Sequence, residues 1–237
     1  FYAERAQMFI ESGGVGVDPL RDVLLGMVAS GEDPIAGGRH KVFGSPLLHI
    51  IPQTSTIGSH LPRAVGMALA IERARKLGVP CTYPQDALVV CSFGDASANH
   101  STAAGAINTA CHCAHQHLPL PLLFVCEDNG LGISVRTPSG WIAAAYGSRP
   151  GLRYFEADGL DLADAFEVAS RAAEYVRESR RPAFLRMSVV RLMGHAGTDL
   201  ETAYRRTEEI ERDLQRDPLV QSARLLGEGG VLTPQGV

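Results

Sequence analysis

The 237-residue chain has no apolar run near the roughly 20 residues needed to cross a bilayer, and its opening, FYAERAQMF, lacks the charged-then-apolar layout of a secretion signal. An aqueous compartment is therefore expected, the cytoplasm or, in a eukaryote, the mitochondrial matrix, with no membrane partner. Strong charge of either sign is also missing: the formal net charge is −4 and no basic stripe runs along the chain, which argues against a nucleic-acid partner. There is no cysteine framework. The five cysteines, Cys81, Cys91, Cys111, Cys113 and Cys126, are odd in number and irregularly spaced, so reduced thiols are expected. No Gly-x-Gly-x-x-Gly follows any strand-like run, which sets aside a nicotinamide-binding domain. An initiating Met is absent and the chain opens inside helical spacing, so an internal piece of a longer polypeptide, or one trimmed of disordered ends, is expected.

What is present is an ordinary globular composition, 45% hydrophobic and 20% charged, with apolar material for one large core. Residues 1–30 carry apolar positions at helical spacing, broken into two helices around Gly13, Gly14 and Pro19, and GEDPIAGGRHKVFGSP after them reads as an exposed loop. Ser59 to Leu77 reads as a buried helix with Pro62 in its first turn and a basic last turn. Four apolar runs then read as strands: DALVVCSFGD, LPLLFVCEDN, LRYFEAD and PAFLRMSVVRL. Small-residue and amphipathic helices, including Leu160 to Glu178, alternate with them. That alternation predicts an α/β fold, a parallel sheet with helices on both faces. A charged helix, a break at Pro218 and a second helical piece are expected after Asp199.

In such a sheet ligands gather at the carboxyl ends of the strands. Two strands end there in oxygen donors. GDASAN places the Asp95 carboxylate between a strand and a helix start, and EDNGLGIS places the Asn129 amide beside glycines that free the following carbonyls. One carboxylate, one amide oxygen and one carbonyl suit a hard cation, and Mg²⁺ ordinarily completes its shell with water and substrate phosphates. Gly-Asp at a strand end is also a common helix cap; the pairing with Asp-Asn-Gly at the next strand favours the metal.

The pair GDASAN and EDNG resembles the thiamine diphosphate motif. With TSTIGSHLPRAVGMALA, GDASANHSTAAGAINTA, LFVCEDNGLGISVRTP and RLMGHAGTD in order, the chain is similar to the alpha subunit of the 2-oxo acid dehydrogenases, from Tyr2 to about Arg212. The resemblance implies a thiamine diphosphate-binding fold over residues 1–212, with 213–237 as a helical tail or linker. It implies Mg²⁺ on Asp95, Asn129 and the Leu131 carbonyl. Ser55 and Ile57 would meet the aminopyrimidine, Gly94, Ala96 and Ser97 would line the diphosphate, and Arg191 and His195 would be the catalytic loop pair, with His195 also at the cofactor. Tyr2 is carried over as a cofactor contact, whereas Ala3 stands where the family often has Arg.

The implied reaction is oxidative decarboxylation of a small 2-oxo acid, of the branched-chain or pyruvate type, with acyl transfer to lipoamide on a partner acyltransferase. The activating Glu would come from a beta subunit or fused beta half, in an α2β2 assembly or a fused homodimer. The chain alone would be inactive, and the small-residue helices Ala64 to Ala70 and Ala103 to Ala110 are candidates for the interface. Ala96 and Asp128 depart from the usual Gly and Asn but are expected to act through backbone. Ala196 excludes the phosphorylation that some animal homologues carry at that position.

An acetoin dehydrogenase alpha subunit would keep every one of these motifs. A reading of another class is a zinc-binding interaction module built on CHCAHQH, since Cys111 with His115, and Cys113 with His117, stand at i, i+4 on a helix.

Overall fold

The computed structural model describes residues 2–39 and 42–231. In chain order the elements are α1 (Tyr2–Glu11), α2 (Pro19–Met27), β1 (Phe43–Ser45), β2 (Ile50–Gln53), α3 (His60–Leu77), β3 (Val89–Gly94), α4 (Ser101–His115), β4 (Leu122–Asp128), α5 (Trp141–Tyr146), β5 (Arg153–Asp158), α6 (Leu162–Ser179), β6 (Ala183–Ser188), α7 (Thr207–Leu214) and α8 (Pro218–Glu228), with helices and strands alternating from α3 to β6. They fall into two compact units, Phe1–His60 and Leu61–Val237.

In the first unit Asp18 caps α2 by accepting the Arg21 N–H, and Pro19 occupies the first turn, where its missing N–H costs nothing. β1 lies inside the stretch expected to be loop and pairs antiparallel with β2, which follows that stretch. Three- and four-residue strands leave too short a pattern to read from sequence. His40 and Lys41, in the same expected loop, lie outside the described residues.

The second unit holds the parallel sheet, in the order β3-β4-β6-β5. β4 and β6, the two central strands, are covered on both faces, which is why their apolar runs read as continuous rather than alternating. Alternate residues nonetheless divide between two cores. Leu122, Phe124 and Cys126 enter the core shared with α3, α4 and α5. Leu123, Leu185 and Ala157 enter the one shared with Val168, Ala172 and Val176 of α6. Helices on both faces are thus as expected. Phe184 anchors the first core, stacked on Tyr146 with ring centroids 4.6 Å apart and edge-on to Phe93 at 5.9 Å.

The termini of α6 follow their sequence. Asp161 caps the start by accepting the Ala163 and Asp164 N–H groups, and Arg180 ends it in the left-handed region at φ 55°. Ala64 and Ala68 of α3 and Ala103, Ala106 and Ala110 of α4 are buried in the first core. These small side chains pack their helices closely within their own unit, while Gly66, Ala70, Ala104 and Gly105 of the same spans are exposed. α5 had no sequence forecast: six residues hold too few turns for periodicity to register.

Candidate active site

β3 and β4 are adjacent and in parallel register, with Gly94 opposite Glu127, so the residues that follow them emerge side by side. Asp95 follows β3 directly, and its N–H donates to the Glu127 carbonyl at 3.3 Å. Its side chain is buried, 2% exposed. One carboxylate oxygen, Oδ2, accepts a short hydrogen bond from the Thr137 hydroxyl. The other, Oδ1, is buried with no hydrogen-bond partner among the described residues. Burial raises the Asp95 pKa, against the Thr137 hydroxyl and with the nearby Asp128 charge adding to the rise; the backbone of Asp95 and Asn129 pulls the other way. An unpaired, desolvated carboxylate oxygen is costly unless a cation meets it.

Asn129 follows β4, and its Oδ1 accepts the Leu131 N–H at 2.9 Å, which pins the amide and leaves a lone pair unused. Gly130 turns the chain at φ +73°, a conformation a side chain would strain. A bridge then pairs Leu131 with Arg136. It is closed by Gly132 N–H on Val135 O at 2.7 Å and Thr137 N–H on Gly130 O at 3.0 Å, so the Leu131 carbonyl is not used in it. This small hairpin also delivers Thr137 to Asp95. A carboxylate oxygen without a partner, an amide oxygen and an unengaged carbonyl on two neighbouring strand ends are a donor set that fits a hard divalent cation.

Ala96 and Ser97 continue from Asp95, but the turn they enter is 3₁₀, Ser97–Asn99, and α4 proper begins only at Ser101. His100 caps α4 with its own ring, Nδ1 accepting the Thr102 N–H at 3.2 Å. Gly94, Asp95, Ala96, Ser97, Asn129 and Leu131 are therefore gathered on adjoining strand ends. Asp128, expected to matter through backbone, has a side-chain partner: its Oδ2 accepts from Arg186 Nε at 2.6 Å.

Arg191 reaches this hairpin from the segment after β6. Its Nη1 donates to the carbonyls of Gly132 at 2.9 Å and Ile133 at 2.8 Å, while Nη2 donates to Glu201 at 3.3 Å and to the Tyr204 hydroxyl. Asp199 Oδ2 accepts the His195 N–H and the Tyr204 hydroxyl, each at 2.7 Å, and ion-pairs with Arg191 at 3.6 Å. His195 is thus fixed by its backbone while its ring is exposed. The His195 N–H, the Tyr204 hydroxyl and the Arg191 charge hold the Asp199 carboxyl below the usual range. The remaining three candidates belong to the first unit. Tyr2 donates its hydroxyl to Asp22 Oδ2 at 2.5 Å, and Ser55 and Ile57 lie in an exposed stretch before α3.

The CHCAHQH segment does not form the zinc site that a binding module would need. Among the described residues no group of three or more His, Cys, Asp or Glu side chains could hold a metal. Cys111 and Cys113 point into the first core, while His112, His115 and His117 face solvent. Burial raises both thiol pKa values, although Arg149 partly offsets this at Cys111, and so opposes the thiolate a metal requires.

The family model for the dehydrogenase E1 component matches residues 10–236. The chain belongs to the dehydrogenase E1 component family. The 2-oxoisovalerate dehydrogenase subunit alpha of Bacillus subtilis is 27% identical over 91% of this E1 chain and 62% of its own length. The probable pyruvate dehydrogenase E1 component subunit alpha of Caenorhabditis elegans is 29% identical over 78% and 44%. A pyruvate dehydrogenase E1 component subunit alpha of Rickettsia felis is 30% identical over 69% and 47%. The E1 chain therefore spans less than two thirds of each of these relatives. A solved transketolase from Leishmania mexicana overlays 64% of it and 22% of itself, at 17% identity and a TM-score of 0.49, too loose a likeness to bear on function. The sequence reading missed Thr137, Asp199, Glu201 and Tyr204. Only the Asn-Gly turn at 129–130 hinted that the chain folds back, which is what brings Thr137 to Asp95.

Proposed function

We propose that this E1 chain is the alpha part of a 2-oxo acid dehydrogenase, holding thiamine diphosphate and Mg²⁺ for the oxidative decarboxylation of a small 2-oxo acid. The observation that carries this is the buried Asp95 with one unpartnered oxygen, set beside Asn129 on the neighbouring strand end, in a chain of this family. In this reading Asp95 and Asn129 hold Mg²⁺ through side-chain oxygens and Leu131 through its carbonyl. Gly94, Ala96 and Ser97 line the diphosphate, Ser55 and Ile57 meet the aminopyrimidine, and Tyr2 is a further cofactor contact. Residues 1–212 form the cofactor-binding part and 213–237 a tail.

Thiamine diphosphate, when bound, would supply the nucleophilic carbon and the electron sink that decarboxylation of a 2-oxo acid needs. The protein's share is positioning and charge. Thr137 orients the Asp95 carboxylate so that Oδ1 is presented. Arg191 fixes the Gly132 and Ile133 carbonyls, and with them the Leu131 turn. Asp199 holds the His195 backbone, leaving the ring free to meet substrate as a proton donor or acceptor. The activating Glu belongs to a beta subunit or fused beta half, and the acyl group passes to lipoamide on a partner acyltransferase, within an α2β2 assembly or fused homodimer. The compartment is the cytoplasm or mitochondrial matrix; among the described residues no helix is long and apolar enough to cross a membrane.

Carbon dioxide release from a panel of 2-oxo acids, with an artificial electron acceptor, tests the reading. Release that requires thiamine diphosphate, Mg²⁺ and the beta part supports it, and the panel separates branched-chain from pyruvate preference. Turnover by the chain alone would overturn the shared site, and turnover indifferent to the cofactor would overturn the whole reading.

A further inference from the structure

The cofactor reading gives no role to Arg186. It lies on β6, between β4 and β5, in register with Cys126 on one side and Glu156 on the other. Its Nε donates to Asp128 Oδ2 at 2.6 Å and its Nη1 to Glu156 Oε1, while the Tyr154 hydroxyl donates to Glu156 Oε2 at 3.2 Å. The Arg186 and Asp128 side chains are 19% and 13% exposed, against 51% for Glu156. Water screens Glu156, so the strong pair is Arg186 with Asp128.

That pairing matters because of where Asp128 stands. It directly precedes Asn129, and its strand end adjoins Asp95, whose N–H donates to Glu127 O. Two carboxylates thus emerge beside one another: Asp95 Oδ1 is buried without a partner among the described residues, whereas Asp128 is held through Oδ2 by Arg186. A second free carboxylate there would attract a divalent cation more strongly and repel a diphosphate. It would also add a ligand, favouring cations that take six to eight oxygens over Mg²⁺.

We propose that Arg186 is a positioning residue, which draws the Asp128 carboxylate away from the cation site and cancels its charge, so that one carboxylate serves the metal and the diphosphate is not repelled. This rests on the thiamine diphosphate and Mg²⁺ reading of the site. The pairing is a feature of this chain's own residues: Asp128 stands where an Asn was expected, and Arg186 answers its charge.

The test measures two affinities in the full-length protein as purified: Mn²⁺ by electron paramagnetic resonance, and inorganic pyrophosphate by calorimetry at saturating Mg²⁺. Arg186→Gln frees a negative charge and should bind Mn²⁺ roughly tenfold tighter and pyrophosphate roughly tenfold weaker, the scale of one unit charge beside the site. Asp128→Asn should move both the opposite way. The double variant should return within about twofold of wild type, and Arg186→Lys should stay close to it. A purely structural ion pair would lower the melting temperature in every variant and move both affinities in the same direction, or in neither, and that result overturns the proposal. Should Arg186→Gln fail to fold, Asp128→Asn alone still gives the signed result. If the wild type binds neither Mn²⁺ nor pyrophosphate, the cofactor reading falls first and this inference with it; if it binds both and the variants match it, only this inference falls.

Discussion

The strand ends at Asp95 and Asn129 and the segment from Arg191 to Tyr204 both border the candidate site, yet they are built oppositely. At the strand ends the backbone is held by a parallel sheet and one polar atom, Asp95 Oδ1, is left unsatisfied. In the later segment nearly every donor is engaged: Arg191 meets two carbonyls, Glu201, Asp199 and Tyr204, and Asp199 takes the His195 N–H. Only Arg191 Nε is buried without a partner. An unsatisfied charge on a rigid frame is poised for a ligand and costs stability until one arrives. A satisfied network on a loop instead holds its shape without a ligand, and must give up bonds if Arg191 is to reach one. The first region is ready to bind, and the second is held in reserve.

The contrast can be broken from the larger effect downward. Removing the ring beneath the strand ends by Phe184→Ala should cost about 3–5 kcal/mol in urea unfolding, because the core it fills also carries Phe93, Phe124 and Tyr146. If the cost were negligible, the frame would not be rigid in the sense argued. Thr137→Val removes the donor to a buried carboxylate and should cost about 1–3 kcal/mol in the same assay. An unchanged midpoint would mean that Asp95 has found another partner. Arg136, 59% exposed, pairs with Glu209 at 2.7 Å and ties the hairpin to α7; Arg136→Ala should cost less than about 1 kcal/mol.

Smallest in global stability, and largest locally, is Asp199→Asn. Amide exchange at His195 should quicken while the unfolding midpoint scarcely moves. Because the folded-state pKa of Asp199 is lowered, its stabilisation is fully present above the ordinary carboxylate range and is lost as pH falls through the lowered value. The protection of the His195 amide, its exchange measured against the intrinsic rate at each pH, should therefore hold at neutral and mildly acidic pH and fall only in strong acid. A loss of protection near neutrality would place control elsewhere.

Much of the sheet was legible because its strands are short, continuous apolar runs ended by Asp95 and Asn129, and because helices of recognisable period separate them. The order of the sheet was not. β6 inserts between β4 and β5, and nothing local in PAFLRMS states which neighbours it will choose. The cation half of the candidate site could be read for the same reason as the strands, since its donors follow the strand ends directly. The loop half could not: the partners of Arg191 are ten and thirteen residues ahead at Glu201 and Tyr204, and 59 behind at Gly132, joined only by folding. CHCAHQH misled in the opposite sense, because spacing on a helix places side chains but does not say which of them the core will claim.

The most direct test of the contrast is a calorimetric titration of thiamine diphosphate with Mg²⁺ into the assembled protein and its Asp95→Asn variant, with melting temperatures taken alongside. The wild type should bind and gain about 2.7 kcal/mol when the ligand is held at 100 times its dissociation constant. The variant should melt no lower than wild type without ligand, and should neither bind nor shift. Equal affinity in the two proteins would contradict the account, because the unpartnered oxygen of Asp95 would then have no part in holding the cofactor.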